Sequence, residues 1–281
     1  MVIERDTRAV TEAETGAPVG FFDAPFGTHT PGALQKALIG FARRTFFHRG
    51  KLRYHMTNLI TALGHPLDVT RMGCAFRVEG ANNLIEYGLL LHPGYNKPEI
   101  DFLCADLGPA KVAVDIGSNV GLYAQPLART GARVVAVDAN PSMIKRLAFN
   151  ADASALDTLD IVHAAVGEGS GMASLEIHRD DVAIVNIVED QAGTVPIRTL
   201  ADILASLDVT RVDALKIDIE GHEDAALAPF LADASEDMIP DRIVIERVGP
   251  EDYPGCHREF TRLGFEPVGR TKSNSMYLRK P

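Results

Sequence analysis

Five short apolar runs recur through the second half of the chain, and each is followed by a segment of helical spacing. They are KVAVDIG (111–117), RVVAVDA (133–139), LDIVHAAVG (159–167), DALKIDIEG (213–221) and RIVIERV (242–248). Runs of this length, rich in Val and Ile and without polar alternation, predict strands covered on both faces. The segments between them carry helix signals: Pro141 opens PSMIKRLAFNADA where a missing N–H costs nothing, and Gly131 closes the segment after the first strand. Alternation of this kind predicts an α/β fold with a doubly wound, mostly parallel sheet. The closing PVGRTKSNSMYLRK predicts two further short strands.

The first part of the chain is less regular. Residues 1–30, rich in Gly, Pro and Thr, predict a loose arm, and residues 33–63 predict one or two helices. No acidic residue lies between Ala24 and Leu67, while Lys36, Arg43, Arg44, Arg49, Lys51 and Arg53 all carry positive charge. Such a segment is either a solvated helix face or a basic surface turned toward an anionic substrate or membrane headgroups. Residues 68–91 read as two or three short strands with a turn at 80–83. MASLEIH with VAIVNIVED (172–190) reads as an inserted hairpin.

Composition narrows the function classes. The formal net charge is −10, with 28 Lys and Arg against 38 Asp and Glu, which speaks against a protein that works by neutralising nucleic-acid phosphates. Cys74, Cys104 and Cys256 are far apart and form no CxxC, as expected in a reducing compartment. No apolar run approaches the roughly 20 residues of a membrane helix, and Met1–Val10 lacks a signal-peptide core, so a cytoplasmic protein is expected.

Asp115-Ile116-Gly117-Ser118-Asn119-Val120-Gly121 forms a D-x-G-x-N-x-G turn between a strand and a helix. Glycines let the backbone turn sharply and approach a ligand, and Asn119 tolerates positive φ. The next strand ends in Asp138, where nucleotide-binding sheets place a carboxylate for the ribose hydroxyls. Dehydrogenase turns put glycine directly after the strand for a pyrophosphate. Here Asp115 stands there and would repel one, so a cationic, phosphate-free ligand such as S-adenosylmethionine fits better. In that reading its ammonium faces Asp115, its carboxylate the helix N-terminus and its ribose Asp138.

With VDIGSNVG (114–121), VDANP (137–141), HAAVGEGSG (163–171), LKIDIEGHE (215–223) and VIE (244–246), the chain resembles class I S-adenosylmethionine-dependent methyltransferases, and more narrowly the FkbM family. The resemblance covers roughly residues 97–281. It implies a seven-stranded Rossmann-like methyltransferase domain there, with residues 1–96 as an N-terminal helical and strand accessory segment capping the acceptor side. It also implies an adenine contact near Ala165, an acidic residue near cofactor or acceptor at Glu99, and O-methylation of a hydroxyl on a sugar, glycolipid or secondary metabolite.

Strand alternation places Lys216, Asp218 and Glu220 on one face, with Lys216 as the ion-pair partner of Asp218. Asp218, Glu220 and His222 are the expected catalytic residues: carboxylates to orient a hydroxyl and a histidine to take its proton. Glu246 points into the same crevice on the substrate side. Asp218, Glu220 and Glu246 together would alternatively hold a divalent cation, although no metal is assigned, and the other histidines have no metal-ligand spacing. The expected partner is a small-molecule or glycan acceptor, with no nucleic acid and no transmembrane segment, and with peripheral membrane contact through residues 36–53 open. A nicotinamide-dependent oxidoreductase and a non-catalytic glycan- or protein-binding member of the fold remain as other readings.

Overall fold

The structure, a computed structural model, describes residues 21–80, 83–177, 185–190, 192–247 and 253–280. In chain order the elements are α1 (Ala33–Arg44), α2 (Gly50–Thr61), β1 (Leu67–Arg71), β2 (Cys74–Val78), α3 (Leu84–Leu91) and α4 (Lys97–Cys104). The regular half follows with β3 (Val112–Ile116), α5 (Ala124–Ala128), β4 (Arg133–Asp138), α6 (Pro141–Ala153), β5 (Leu159–His163) and β6 (Ala165–Val166). Next come β7 (Gly171–Ile177), β8 (Val185–Glu189), β9 (Val195–Arg198), α7 (Leu200–Ala205), β10 (Ala214–Ile217) and α8 (Glu223–Asp233). The chain closes with β11 (Arg242–Glu246), α9 (Pro254–Arg262), β12 (Phe265–Arg270) and β13 (Asn274–Arg279).

Seven strands form one sheet in the order β12-β13-β11-β10-β3-β4-β5. Strands β11, β10, β3, β4 and β5 are parallel, and β13 pairs antiparallel with both β11 and β12. The period of two along each strand divides the core. Ala113, Val134, Ala136, Ala214 and Val244 pack on one face, while Val114, Val135, Leu215, Ile243 and Ile245 pack on the other. This is why the strand sequences read as continuous apolar runs: both faces are buried. The first face is shared with Ile39, Ile60, Phe76 and Leu91, so the N-terminal helices and hairpin belong to the same core as the sheet.

Two expectations for this segment need correction. The stretch LIEYGLLL forms the helix α3 rather than a strand, because the Asn83 side chain accepts from the N–H groups of Ile85 and Glu86 and caps it. Nor is residue 21 onward loose. Buried Arg77 pairs with Asp68 at 2.7 Å and donates to the carbonyls of Phe21, Ala24 and Pro25, clipping that strap to β2. Residues 1–20 of the expected arm and positions 81 and 82 of the expected turn lie outside the described residues. The inserted hairpin is present as β7 against β8, part of a four-stranded sheet ordered β6-β9-β7-β8, with 178–184 outside the described residues.

Candidate active site

The chain leaves β3 toward β4 and later returns to β10 on the other side of β3, so the strand order reverses at β3. Ligands of open parallel sheets bind beyond the carboxyl ends of the strands at such a point. The turn after β3 is built into that gap. Gly117 has φ +75°, its N–H donates to Val137 O at 2.9 Å, and a Cβ there would stand 1.9 Å from Asp218 O. Only glycine fits this approach of two strand ends. Gly121, at φ +92°, sits in a backbone region that disfavours side chains, and a Cβ there would press on Leu147 Cδ1 at 2.4 Å. Asn119 sits at φ +49°, and its side-chain oxygen accepts from Val120 N at 2.9 Å and Asn83 Nδ2 at 3.3 Å, tying the loop to the N-terminal segment.

Asp138, at the end of β4, is held by two backbone donors: Asn119 N to Oδ2 at 2.7 Å and Asn140 N to Oδ1 at 2.8 Å. Burial raises its pKa to about 6 against the pull of those donors. It lines a pocket together with Gly117, Ala139, Ala164, Ala165, Val166 and Ile219, and Asp218 and Glu220 also belong to that lining. A fixed carboxylate beside small apolar walls fits a ribose diol followed by a flat base. Ala165, the position at which the family resemblance implies an adenine contact, is among the residues lining the pocket.

Asp115 is placed differently from the sequence reading. Its side chain is fully buried; Oδ2 accepts from Ala124 N at 2.9 Å, and Oδ1 lies 3.4 Å from Lys216 Nζ. Lys216 also lies 3.7 Å from Asp218 and donates to Gly117 O at 2.8 Å and Ile116 O at 3.3 Å. Burial pulls the ammonium down, and Asp115 with Asp218 outweighs it, so Lys216 is held above its ordinary value. The charge of Asp115 is therefore met inside the protein, and Lys216 serves two carboxylates rather than Asp218 alone.

Strand β10 ends at Ile217, and Glu220 adopts φ +54°, so strict alternation does not reach Glu220. The carboxylates still converge: oxygens of Asp218, Glu220 and Glu246 all lie within 4.8 Å of one another. Buried Glu223, which sequence reasoning did not single out, shapes this loop by accepting from Ile219 N at 2.8 Å and Gly221 N at 3.0 Å. Burial, then the charges of Asp218, Glu220 and Glu223, push Glu246 up to about 9 against the opposing pull of Lys216. Burial and the crowding of carboxylates at one spot are what raise it, and the oxygens of Asp218, Glu220 and Glu246 are spaced to hold a divalent cation. His222 is exposed at the start of α8.

A second acceptor-rich patch lies beside Tyr123. Glu99, buried on α4, accepts through Oε1 from Thr271 Oγ1 at 2.6 Å and Asn274 Nδ2 at 3.3 Å. Glu99 Oε2 and Asn274 Oδ1 are buried with no hydrogen-bond donor among the described residues. Burial and the carboxylates of Glu99, Asp218 and Asp115 hold the Tyr123 phenol well above its ordinary pKa, and Lys216 Nζ stands 5.2 Å from its ring centre. Orphaned buried acceptors are costly unless a donor arrives, and an ammonium group would supply three. Asn274 and Thr271 carry no sequence signal, because they reach the site from the C-terminal hairpin.

A carboxylate fixed at the end of β4 beside a glycine turn, at the reversal of a seven-stranded sheet, fits the class of S-adenosylmethionine-dependent methyltransferases. The profile of the Methyltransferase FkbM domain matches residues 115–266, more than half of the chain, which therefore belongs to the FkbM methyltransferase family. The chain is similar over 81 residues, at 31% identity, to 23S rRNA (uracil(1939)-C(5))-methyltransferase RlmD of Shewanella sediminis. That match spans 29% of this chain and 18% of the length of the curated relative. Among solved structures it is similar to TYW2 of M. jannaschii in complex with AdoMet (14% identity, TM-score 0.42, covering 76% of this chain and 86% of that one). It is also similar to precorrin-6y C5,15-methyltransferase of Geobacter metallireducens (11% identity, TM-score 0.43, covering 67% and 90%).

Proposed function

We propose that the protein methylates a hydroxyl oxygen on a sugar, glycolipid or related polyol, with Asp138, Gly117, Asn119, Gly121 and Ala165 lining the donor pocket. Asp218, Glu220 and Glu246 meeting at the ends of β10 and β11, on the rim of that pocket, support this reading most directly. Three carboxyl groups at one spot suit an acceptor that presents several O–H donors. In this reading the described part of residues 1–96 caps the domain spanning 97–281 and is joined to the donor loop through Asn83 and Asn119.

S-adenosylmethionine supplies an electrophilic methyl group on a sulfonium. Glu99, with Asn274 beside it, takes the ammonium end that the sequence alone would give to Asp115, and Asp138 takes the ribose hydroxyls. Lys216, 3.7 Å away, steadies the Asp218 side chain at the end of β10, and Asp218 accepts a hydrogen bond from the acceptor hydroxyl and orients it. Protonated Glu246 donates to a neighbouring acceptor oxygen, and Glu220 closes the same rim. As the C–O bond forms and the C–S bond breaks, the hydroxyl proton leaves through Asp218 to His222, which is exposed and can release it to water. The test is mass spectrometry of metabolite and glycan extracts incubated with the enzyme and deuterium-labelled methyl donor. A labelled methyl ether on a polyol is the expected product. Label found only in RNA would overturn the acceptor class.

A further inference from the structure

Seven of the eleven exposed large hydrophobic residues among the described residues fall between positions 34 and 63. They are not scattered. Phe41, Phe47 and Phe46 form a chain of rings, with centroids 5.4 Å and 4.8 Å apart, at the junction of α1 and α2, and Phe46 is 63% exposed. Leu52, Leu59 and Leu63, spaced by seven and four residues, continue the apolar surface along one stripe of α2 and the turn after it. An apolar surface of this kind left open to water marks a contact site.

The charges around it name the partner. Lys36, Arg44, Arg49 and Lys51 are exposed, and none of them forms an ion pair among the described residues. No carboxylate lies between Ala24 and Leu67, although the whole chain carries −10. Two copies meeting through this face about a two-fold axis would press like charges together. Aromatic rings among unpaired Arg and Lys instead match the interface of an anionic bilayer, where rings sit at headgroup depth and basic stems extend to the phosphates. We infer that the α1–α2 junction is a peripheral docking surface for anionic lipid membranes. No helix among the described residues is long and apolar enough to span a bilayer, so the contact is a surface one. It stands independently of the acceptor proposed above.

The test is flotation of the full chain with vesicles of phosphatidylcholine alone or mixed equally with phosphatidylglycerol, at low and high salt. The chain should float with the anionic vesicles only, and salt should release it. Replacing Arg44 and Arg49 together by Gln should lower the partition by about thirtyfold. Phe46→Ser should lower it as well, whereas Val268→Ser, exposed elsewhere, should not. Unchanged affinity for S-adenosylhomocysteine would show that each variant is folded. Failure to float with any vesicle, or flotation indifferent to both sets of substitutions, would overturn the inference. So would a dimer in sedimentation velocity that Phe46→Ser dissolves, which would assign the face to a second copy of the chain.

Discussion

Lys216 Nζ lies 3.4 Å from Asp115 and 3.7 Å from Asp218, so one buried cation joins the end of β3 to the end of β10. The same ammonium donates to the carbonyls of Ile116 and Gly117, and it therefore sets the separation of the two strand ends that frame the donor crevice. One buried cation thus faces two carboxylates across the donor crevice before any ligand arrives.

Removing that cation strands two carboxylates. Lys216→Met should destabilise the protein by about 3–5 kcal/mol in urea unfolding, because a buried charge loses its partner. Adding Asp115→Asn to it should restore part of the loss. Lack of any such recovery would mean that Lys216 acts through contacts other than the pair.

Gly117→Ala places a Cβ 1.9 Å from Asp218 O in a backbone region that disfavours side chains. The expected cost is about 2 kcal/mol or more in stability, with donor binding lost. Thermal unfolding and titration with S-adenosylhomocysteine check the two effects separately.

Asp138 carries a pH signature. Its pKa is raised to about 6, and accepting ribose hydroxyls is best done by the ionised form. Donor affinity should therefore be full above that value and weaken as pH falls through it, and Asp138→Asn should flatten the profile.

Glu246 gives the opposite kind of dependence, in stability. Its pKa rises from 4.5 unfolded to about 9 folded, so the native state binds the proton more tightly. Stability should be greatest at low pH and decline as pH climbs between those two values. In Glu246→Gln that decline should be absent, which chemical denaturation at several pH values would reveal.

Asp218→Asn should reduce turnover by about 10²–10⁴-fold with little change in donor affinity, since it acts on the acceptor side. A variant that retains full turnover would remove Asp218 from the chemistry.

Much of this was legible in the sequence where residues close in the chain determine the outcome. The strand runs are apolar on both faces, the D-x-G-x-N-x-G turn follows β3, and Asp138 ends the next strand, so sheet and donor loop could be read directly. What escaped depends on partners far along the chain. That Asp115 faces a buried Lys216 could not be read from its own segment, because Lys216 stands on another strand. Glu99 gained meaning only beside Asn274 and Thr271, which arrive from the last hairpin. Apart from Glu86, LIEYGLLL is largely apolar and shows no period that separates helix from strand; its helix is capped by Asn83, and Glu86 is met by the buried Arg146 from a distant segment.

The most direct measurement is calorimetric titration of S-adenosylhomocysteine into the wild-type chain and Asp138→Ala. One saturable site per chain, weakened about ten- to a hundredfold by the substitution, is the predicted result. No binding to the wild type, or equal binding to both, would contradict a nucleoside pocket at the ends of β3 and β4.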